Sequence, residues 1–300
     1  MYTTLITASE LAACIGDRIN TCVDDPKLVV VDCRHDLMNL AAGADSYAAG
    51  HLPGAVFGAM ETALSGAKRG ADGRFRGRHP LPERAALLAT LRSWGVDDDS
   101  LVVAYDANGG MFAARLWWLL RWLGHPAVAV LDGGLAAWQS QALPMTAAVP
   151  VRPRGDVKER APLVQTVSAD DVLANVLANI GTEQLTVVDA RAPDRFRGEN
   201  ETIDPIGGHI PGARNRFFKD NLQADGRFKD AATLREEFAP LVDDPARAIM
   251  QCGSGVTACH NLLALEVAGM PGAALYPGSW SEWVGDGKND TGRPVAKGDA

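Results

Sequence analysis

Cys252 opens the run Cys252-Gly253-Ser254-Gly255-Val256-Thr257, set between an apolar stretch at 248–251 and a helical pattern at 257–268 that stops at Gly269. A cysteine at a strand-to-helix turn meets the N–H groups that a helix start leaves unpaired, and these favour an anion, hence a thiolate. Gly253 and Gly255 permit the tight backbone in which several N–H groups converge on one point. The chemistry expected of such a sulfur is nucleophilic attack. Free cysteine is often no more than a small core residue. Here the two glycines and the adjacent hydroxyls of Ser254 and Thr257 favour the nucleophile.

The elements that must hold this loop occur twice. Leu28-Val29-Val30-Val31-Asp32-Cys33-Arg34 matches Leu185-Thr186-Val187-Val188-Asp189-Ala190-Arg191, and Gly50-His51-Leu52-Pro53-Gly54-Ala55 matches Gly208-His209-Ile210-Pro211-Gly212-Ala213. The apolar run 101–105 matches the one leading to Cys252, and Val130-Leu131-Asp132-Gly133-Gly134 with Trp138 matches Leu275-Tyr276-Pro277-Gly278-Ser279 with Trp283. Four matches in one order, offset by about 145–160 residues, indicate duplication of a domain of ordinary size. Short β-branched runs at 29–31, 101–104 and 127–131 alternate with helical patterns at 83–94 and 112–123, which predicts an α/β fold: in each half a mainly parallel sheet with helices on both faces. The expected division is an N-terminal domain at 1–142, a linker rich in Pro, Arg and Gly at 143–163, a C-terminal domain at 164–285, and a polar tail at 286–300. Ligands of such sheets gather beyond the carboxyl ends of the strands. Cys252 lies there in the second half, whereas the first half has Asp106-Ala107-Asn108-Gly109-Gly110 at the same place. Chemistry is therefore assigned to the C-terminal domain, and the N-terminal one is read as inactive.

The 300 residues are 47% apolar with a net charge of −8, enough for two domains with cores of their own. An acidic chain with no basic stripe is expected to bind neither nucleic acid nor an anionic membrane. Arg74, Arg76 and Arg78 belong either to a solvated loop or to a pocket for a small anion. The start of the chain lacks a signal-peptide pattern, and no apolar run reaches membrane-spanning length, so a cytoplasmic protein is expected. Five scattered cysteines do not read as a disulfide framework. Cys259 and His260 lack the paired spacing of a zinc site. No metal and no cofactor are expected.

With these motifs in place the chain resembles the tandem-rhodanese sulfurtransferases over nearly its whole length. Its loop Cys-Gly-Ser-Gly-Val-Thr is similar to that of the 3-mercaptopyruvate sulfurtransferases, whereas relatives that prefer thiosulfate carry basic residues where this chain has Gly253 and Ser254. The resemblance implies two rhodanese-like domains and transfer of a sulfane sulfur from 3-mercaptopyruvate through a persulfide on Cys252 to a thiol, thioredoxin-like or small, or to cyanide. It implies substrate-binding roles for Gly253, Gly255, Val256, Thr257 and Arg195, with Arg197 as a candidate for part of the second arginine's role, and a relay of Ser254, His79 and Glu61, the last in place of the usual aspartate. Thr257 is also accounted for as a first-turn residue bonding local backbone, Arg195 as a surface ion pair with Asp194 or Glu199, Arg197 as a solvent-facing side chain, and His79 as a loop residue. The family's second substrate arginine is missing, its region reading Glu199-Asn200-Glu201-Thr202-Ile203-Asp204. Asp32, Arg34, Asp189, Arg191, His51 and His209 occur in both halves and are read as structural. A thiosulfate sulfurtransferase and a non-catalytic sulfur carrier or interaction module are the alternatives. A cysteine phosphatase is disfavoured, because Ala258 and Cys259 stand where its phosphate-binding arginine would be.

Overall fold

The computed structural model describes residues 1–16, 27–178, 185–287 and 291–299. Cys22, and residues 288–290 and 300 of the expected tail, lie outside them. Among the described residues ten strands are arranged as two five-stranded sheets. The first holds β1 (Leu5–Ile6), β2 (Leu28–Asp32), β3 (Val56–Phe57), β4 (Leu101–Tyr105) and β5 (Val128–Leu131) in the order β1-β5-β4-β2-β3. The second holds β6 (Gln165–Thr166), β7 (Thr186–Asp189), β8 (Arg214–Asn215), β9 (Ala248–Gln251) and β10 (Ala274–Leu275) in the order β6-β10-β9-β7-β8. Every pairing is parallel. The two orders are the same once each strand is matched to its repeat. The central strands β2, β4, β7 and β9 are short β-branched or apolar runs, nearly all buried, as a strand covered on both faces requires.

Helices α1 (Ala8–Ile15), α2 (Ala42–Ala49), α3 (Arg84–Ser93), α4 (Ala113–Trp122) and α5 (Gly134–Ser140) repeat as α6 (Ala169–Leu177), α7 (Pro193–Arg197), α8 (Ala231–Phe238), α9 (Thr257–Val267) and α10 (Ser279–Val284). The first helix of each set starts with the same device: Thr7 with Glu10, and Ser168 with Asp171, exchange hydrogen bonds as capping boxes. Among the described residues no helix is long and apolar enough to cross a membrane.

The chain divides into two compact units: Met1–Ser65, Pro82–Leu163 and Leu222–Phe228 in one, Gly66–Leu81, Val164–Asn221 and Lys229–Ala300 in the other. In the first unit the segment 143–163 is not a loose tether. Gly155 and Val157 donate N–H bonds to the Arg92 and Val96 carbonyls, and Arg160 to the Leu123 carbonyl. In the second unit the tail is likewise tied down, with Ala296 paired to His209 and the Trp283 indole donating to the Pro294 carbonyl, as Trp138 donates to Pro144 in the first. The segment 66–81, which follows β3 in the chain, belongs to the second unit. Gly77 there has φ +101° and comes so near the Gly278 carbonyl oxygen that a Cβ would lie 2.8 Å from it. The Arg78 N–H donates to Ser281 Oγ at 3.1 Å.

Candidate active site

Cys252 follows β9 directly, and Thr257 begins α9, so residues 252–256 form a strand-to-helix loop in the second unit. Two features shape it. Gly255 has φ +75°, a left-handed conformation natural to glycine, and a Cβ there would overlap the Pro277 carbonyl oxygen. This bend aims the Gly255 N–H at Cys252 Sγ, 3.2 Å away. The second feature is the segment after β10. Ser279, itself at φ +53°, accepts the Cys252 N–H on its hydroxyl (3.1 Å), which in turn donates to the Tyr276 carbonyl (2.9 Å). The N–H groups of Trp280 and Ser281 donate to the Cys252 and Gly253 carbonyls, each at 2.9 Å. The backbone of Cys252 is thus clamped on both sides, and the residue is 2% exposed.

The equivalent loop of the first unit shows what this backbone does with an anion. Asp106, directly after β4, accepts four loop N–H bonds: Asn108 and Gly110 on one carboxylate oxygen, Phe112 and Ala113 on the other, at 2.7–3.0 Å. Burial opposes its charge, but the N–H donors fill the lone-pair sites of an ionised carboxylate and leave none for a proton. Sulfur occupies the corresponding position in the second unit.

Ser254 is two residues from the sulfur, and its Oγ lies 2.9 Å from His79 Nδ1; both residues are buried. His79 reaches it from the segment 66–81, within the same unit. Glu61 belongs to the first unit, where its charge raises the affinity of His35 for a proton against the effect of burial. Val256 and Thr257 are buried at the start of α9. Cys259 is fully buried, its Sγ 3.3 Å from the Gly255 carbonyl oxygen.

The cations differ from expectation. Arg195 pairs with neither Asp194 nor Glu199 through its side chain. Its guanidinium is held by Glu201 in a bidentate contact (2.8–3.0 Å) and touches Asp204 at 3.3 Å. Arg197 pairs with Glu199 at 2.8 Å, a different carboxylate from the one that holds Arg195. Arg78 arrives in its place: its Nη2 lies 2.7 Å from where a Gly253 Cβ would be, and both terminal nitrogens of Arg195 lie 3.7 Å from the same point. Arg78 also pairs with Asp204. Arg76 is engaged by Asp72, and Arg74 is largely exposed.

Sequence reading left Arg78 open between a solvated loop and an anion pocket, and it did not assign Glu201, Asp204 or Ser279 to the site. The acidic replacement of the 199–204 region signalled two of them. The repeated motifs have structural partners. Asp32 and Asp189 accept the side chains of Arg34 and Arg191, and His51 and His209 bond backbone carbonyls while stacked on Tyr47 and Phe196.

Comparison with known proteins gives the arrangement a family. The model of the rhodanese-like domain matches residues 17–141 and again 172–286. The chain is 45% identical, over 98% of its length and 98% of the relative's, to a Pseudomonas aeruginosa protein named "Probable 3-mercaptopyruvate sulfurtransferase". It is 34% identical to the thiosulfate sulfurtransferase of Bos taurus over 86% of this chain and 85% of that one. The solved structure of 3-mercaptopyruvate sulfurtransferase from Leishmania major superposes with a TM-score of 0.78 at 28% identity, over 94% of this chain and 74% of that one. The chain belongs to the rhodanese family, with the domain present twice, and is an enzyme of the sulfurtransferase kind.

Proposed function

We propose that the chain is a 3-mercaptopyruvate sulfurtransferase that carries the transferred sulfur as a persulfide on Cys252. The observation that carries this reading is the hydrogen bond between Ser254 and His79 beside the nucleophile. Thiosulfate gives up its outer sulfur by releasing sulfite, a stable anion that needs no proton. A mercapto-keto acid must release a carbon, which leaves as an enolate and has to be protonated. A hydroxyl–imidazole pair next to the sulfur suits the second task.

In this mechanism the Cys252 thiolate attacks the donor's sulfur and forms the S–S bond. The C–S bond breaks with its electron pair going to carbon. The resulting pyruvate enolate takes up the proton lost by the donor thiol, relayed through Ser254 and His79. The products are pyruvate and a Cys252 persulfide anion facing the Gly255 N–H. An acceptor thiol, small or thioredoxin-like, or cyanide then attacks the outer sulfur and regenerates the thiolate, which gives ping-pong kinetics. A reducing compartment such as the cytoplasm supplies such thiols. Arg195 binds the donor's carboxylate.

Exposure to 3-mercaptopyruvate is expected to add one sulfur to the wild-type protein and none to Cys252→Ser. The value of kcat/KM should be higher for 3-mercaptopyruvate than for thiosulfate, and Ser254→Ala should depress the first far more than the second. The opposite substrate order, or equal losses for both donors, overturns the reading.

A further inference from the structure

We propose that Arg78 and Arg195 form a two-guanidinium anion seat over Gly253, that Asp204 is its resident carboxylate, and that the anionic group of the sulfur donor binds by displacing Asp204. This inference deepens the donor assignment above and rests on it only for the donor's name.

The seat is built at the nucleophile. Gly253 has no side chain, and the Nη2 of Arg78 lies only 2.7 Å from where its Cβ would be, with the Arg195 nitrogens 3.7 Å from the same point. The backbone of Arg78 is fixed by the Ser281 hydroxyl, and the N–H of the same Ser281 holds the Gly253 carbonyl. The cation and the cysteine loop are therefore registered on one short segment. A side chain at 253 would have to push the guanidinium aside.

The two carboxylates on the seat are held very differently. Glu201 accepts the backbone N–H groups of Ile203 (2.9 Å) and Asp204 (3.1 Å) as well as the fork of Arg195 and, at 3.4 Å, Nη1 of Arg191. It is anchored from several directions and serves to orient Arg195. Asp204 bridges Arg78 and Arg195 through its side chain, from a stretch without helix or strand. Its carboxylate is almost wholly buried, and burial raises its proton affinity although both arginines pull the other way. Of the two, Asp204 is the one whose departure breaks only contacts that an incoming anion remakes.

Charge then sets donor choice. Arg78 and Arg195 balance Glu201 and Asp204. A monoanionic carboxylate that replaces Asp204 leaves the balance unchanged, whereas a compact dianion adds one negative charge to a half-buried site. An occupied seat also lowers apparent affinity by the fraction of time it is vacant.

The test is anion binding to the full chain in a Cys252→Ser background, where no sulfur transfer occurs, with pyruvate as the monocarboxylate probe and sulfate as the dianion. Asp204→Asn is expected to tighten both on the order of tenfold or more. Adding Arg78→Met should abolish the gain, and Arg78→Lys should restore part of it. Because Arg78→Met alone strands a buried carboxylate, it is examined only together with Asp204→Asn, with thermal unfolding as the check on folding. Unchanged affinities in Asp204→Asn, or a gain that survives Arg78→Met, overturn the proposal. Persulfide formation from 3-mercaptopyruvate in the wild type is scored separately, so the donor assignment can fail while the seat stands, and the reverse.

Discussion

Replacing Gly255 by alanine should damage both stability and sulfur chemistry, and by amounts that the geometry bounds. The residue sits at φ +75°, where a side chain costs about 1–2 kcal/mol. The new Cβ also runs into the Pro277 carbonyl oxygen, which is backbone and gives way less readily than the end of a side chain. Together the strain and overlap amount to roughly 2–4 kcal/mol, a fall in Tm on the order of 5–15 °C for units of this size. Any shift that relieves the overlap withdraws the Gly255 N–H from Cys252 Sγ. A hydrogen bond to a charged acceptor contributes about 1.5–3 kcal/mol, so persulfide formation should slow roughly tenfold to hundredfold. Gly253→Ala is the control: its Cβ meets only the flexible ends of Arg78 and Arg195, so Tm should move by no more than about 2 °C while donor binding changes. Calorimetry and quenched-reaction mass analysis read the two effects. A Gly255→Ala protein with wild-type Tm and rate, or a Gly253→Ala protein equally destabilised, would refute the reasoning.

Three further outcomes follow from the packing. Ser279→Ala leaves the buried Cys252 N–H without its hydroxyl acceptor and should cost about 1–3 kcal/mol in denaturant unfolding. Ser279→Gly loses the same hydroxyl but relieves φ +53°, so its loss should be the smaller; equal losses would remove the strain argument. Arg191→Met uncovers Asp189 and Glu201, whose side chains are 0% and 4% exposed, and should cost about 3–5 kcal/mol, whereas a cost under about 1 kcal/mol would make the pair a surface-like one. Burial holds Glu282 above the usual carboxyl range, against Tyr276, Arg293 and Arg76, which lower it. The folded state then binds that proton more tightly than the unfolded chain, so the contribution is complete below about pH 4.3 and is lost as pH rises through the folded value. Stability curves of wild type and Glu282→Gln should diverge upward from that pH, with the wild type falling behind; parallel curves would contradict the sign.

Local pattern made much of this protein legible. Apolar β-branched runs flanked by helical periodicity specify buried parallel strands whatever the rest of the chain does, and the repeated Asp-x-Arg and Gly-His-x-Pro-Gly-Ala motifs exposed the duplication before any coordinate. The loop at Cys252 could be placed because a strand, two glycines and a helix start are contiguous. Asp106 was visible as the residue without sulfur at the same station, but its four N–H bonds were not. The cations resisted reading because a guanidinium reaches several ångströms from its backbone and answers to whatever carboxylate the fold brings near. Arg195 found Glu201 and not its sequence neighbours, and Arg197 turned to Glu199.

The amino-acid order by itself determined the two parallel sheets and the strand-to-helix loop that holds Cys252, since those depend on periodicity and turn chemistry within a few residues. Only the tertiary structure decided that Arg78 joins that loop and that Glu201 and Asp204 lie on the arginines; His79, some 175 residues before Ser254, was implied by family resemblance and by no local spacing. Contacts between distant segments are selected by packing and charge in three dimensions, and no local spacing encodes them.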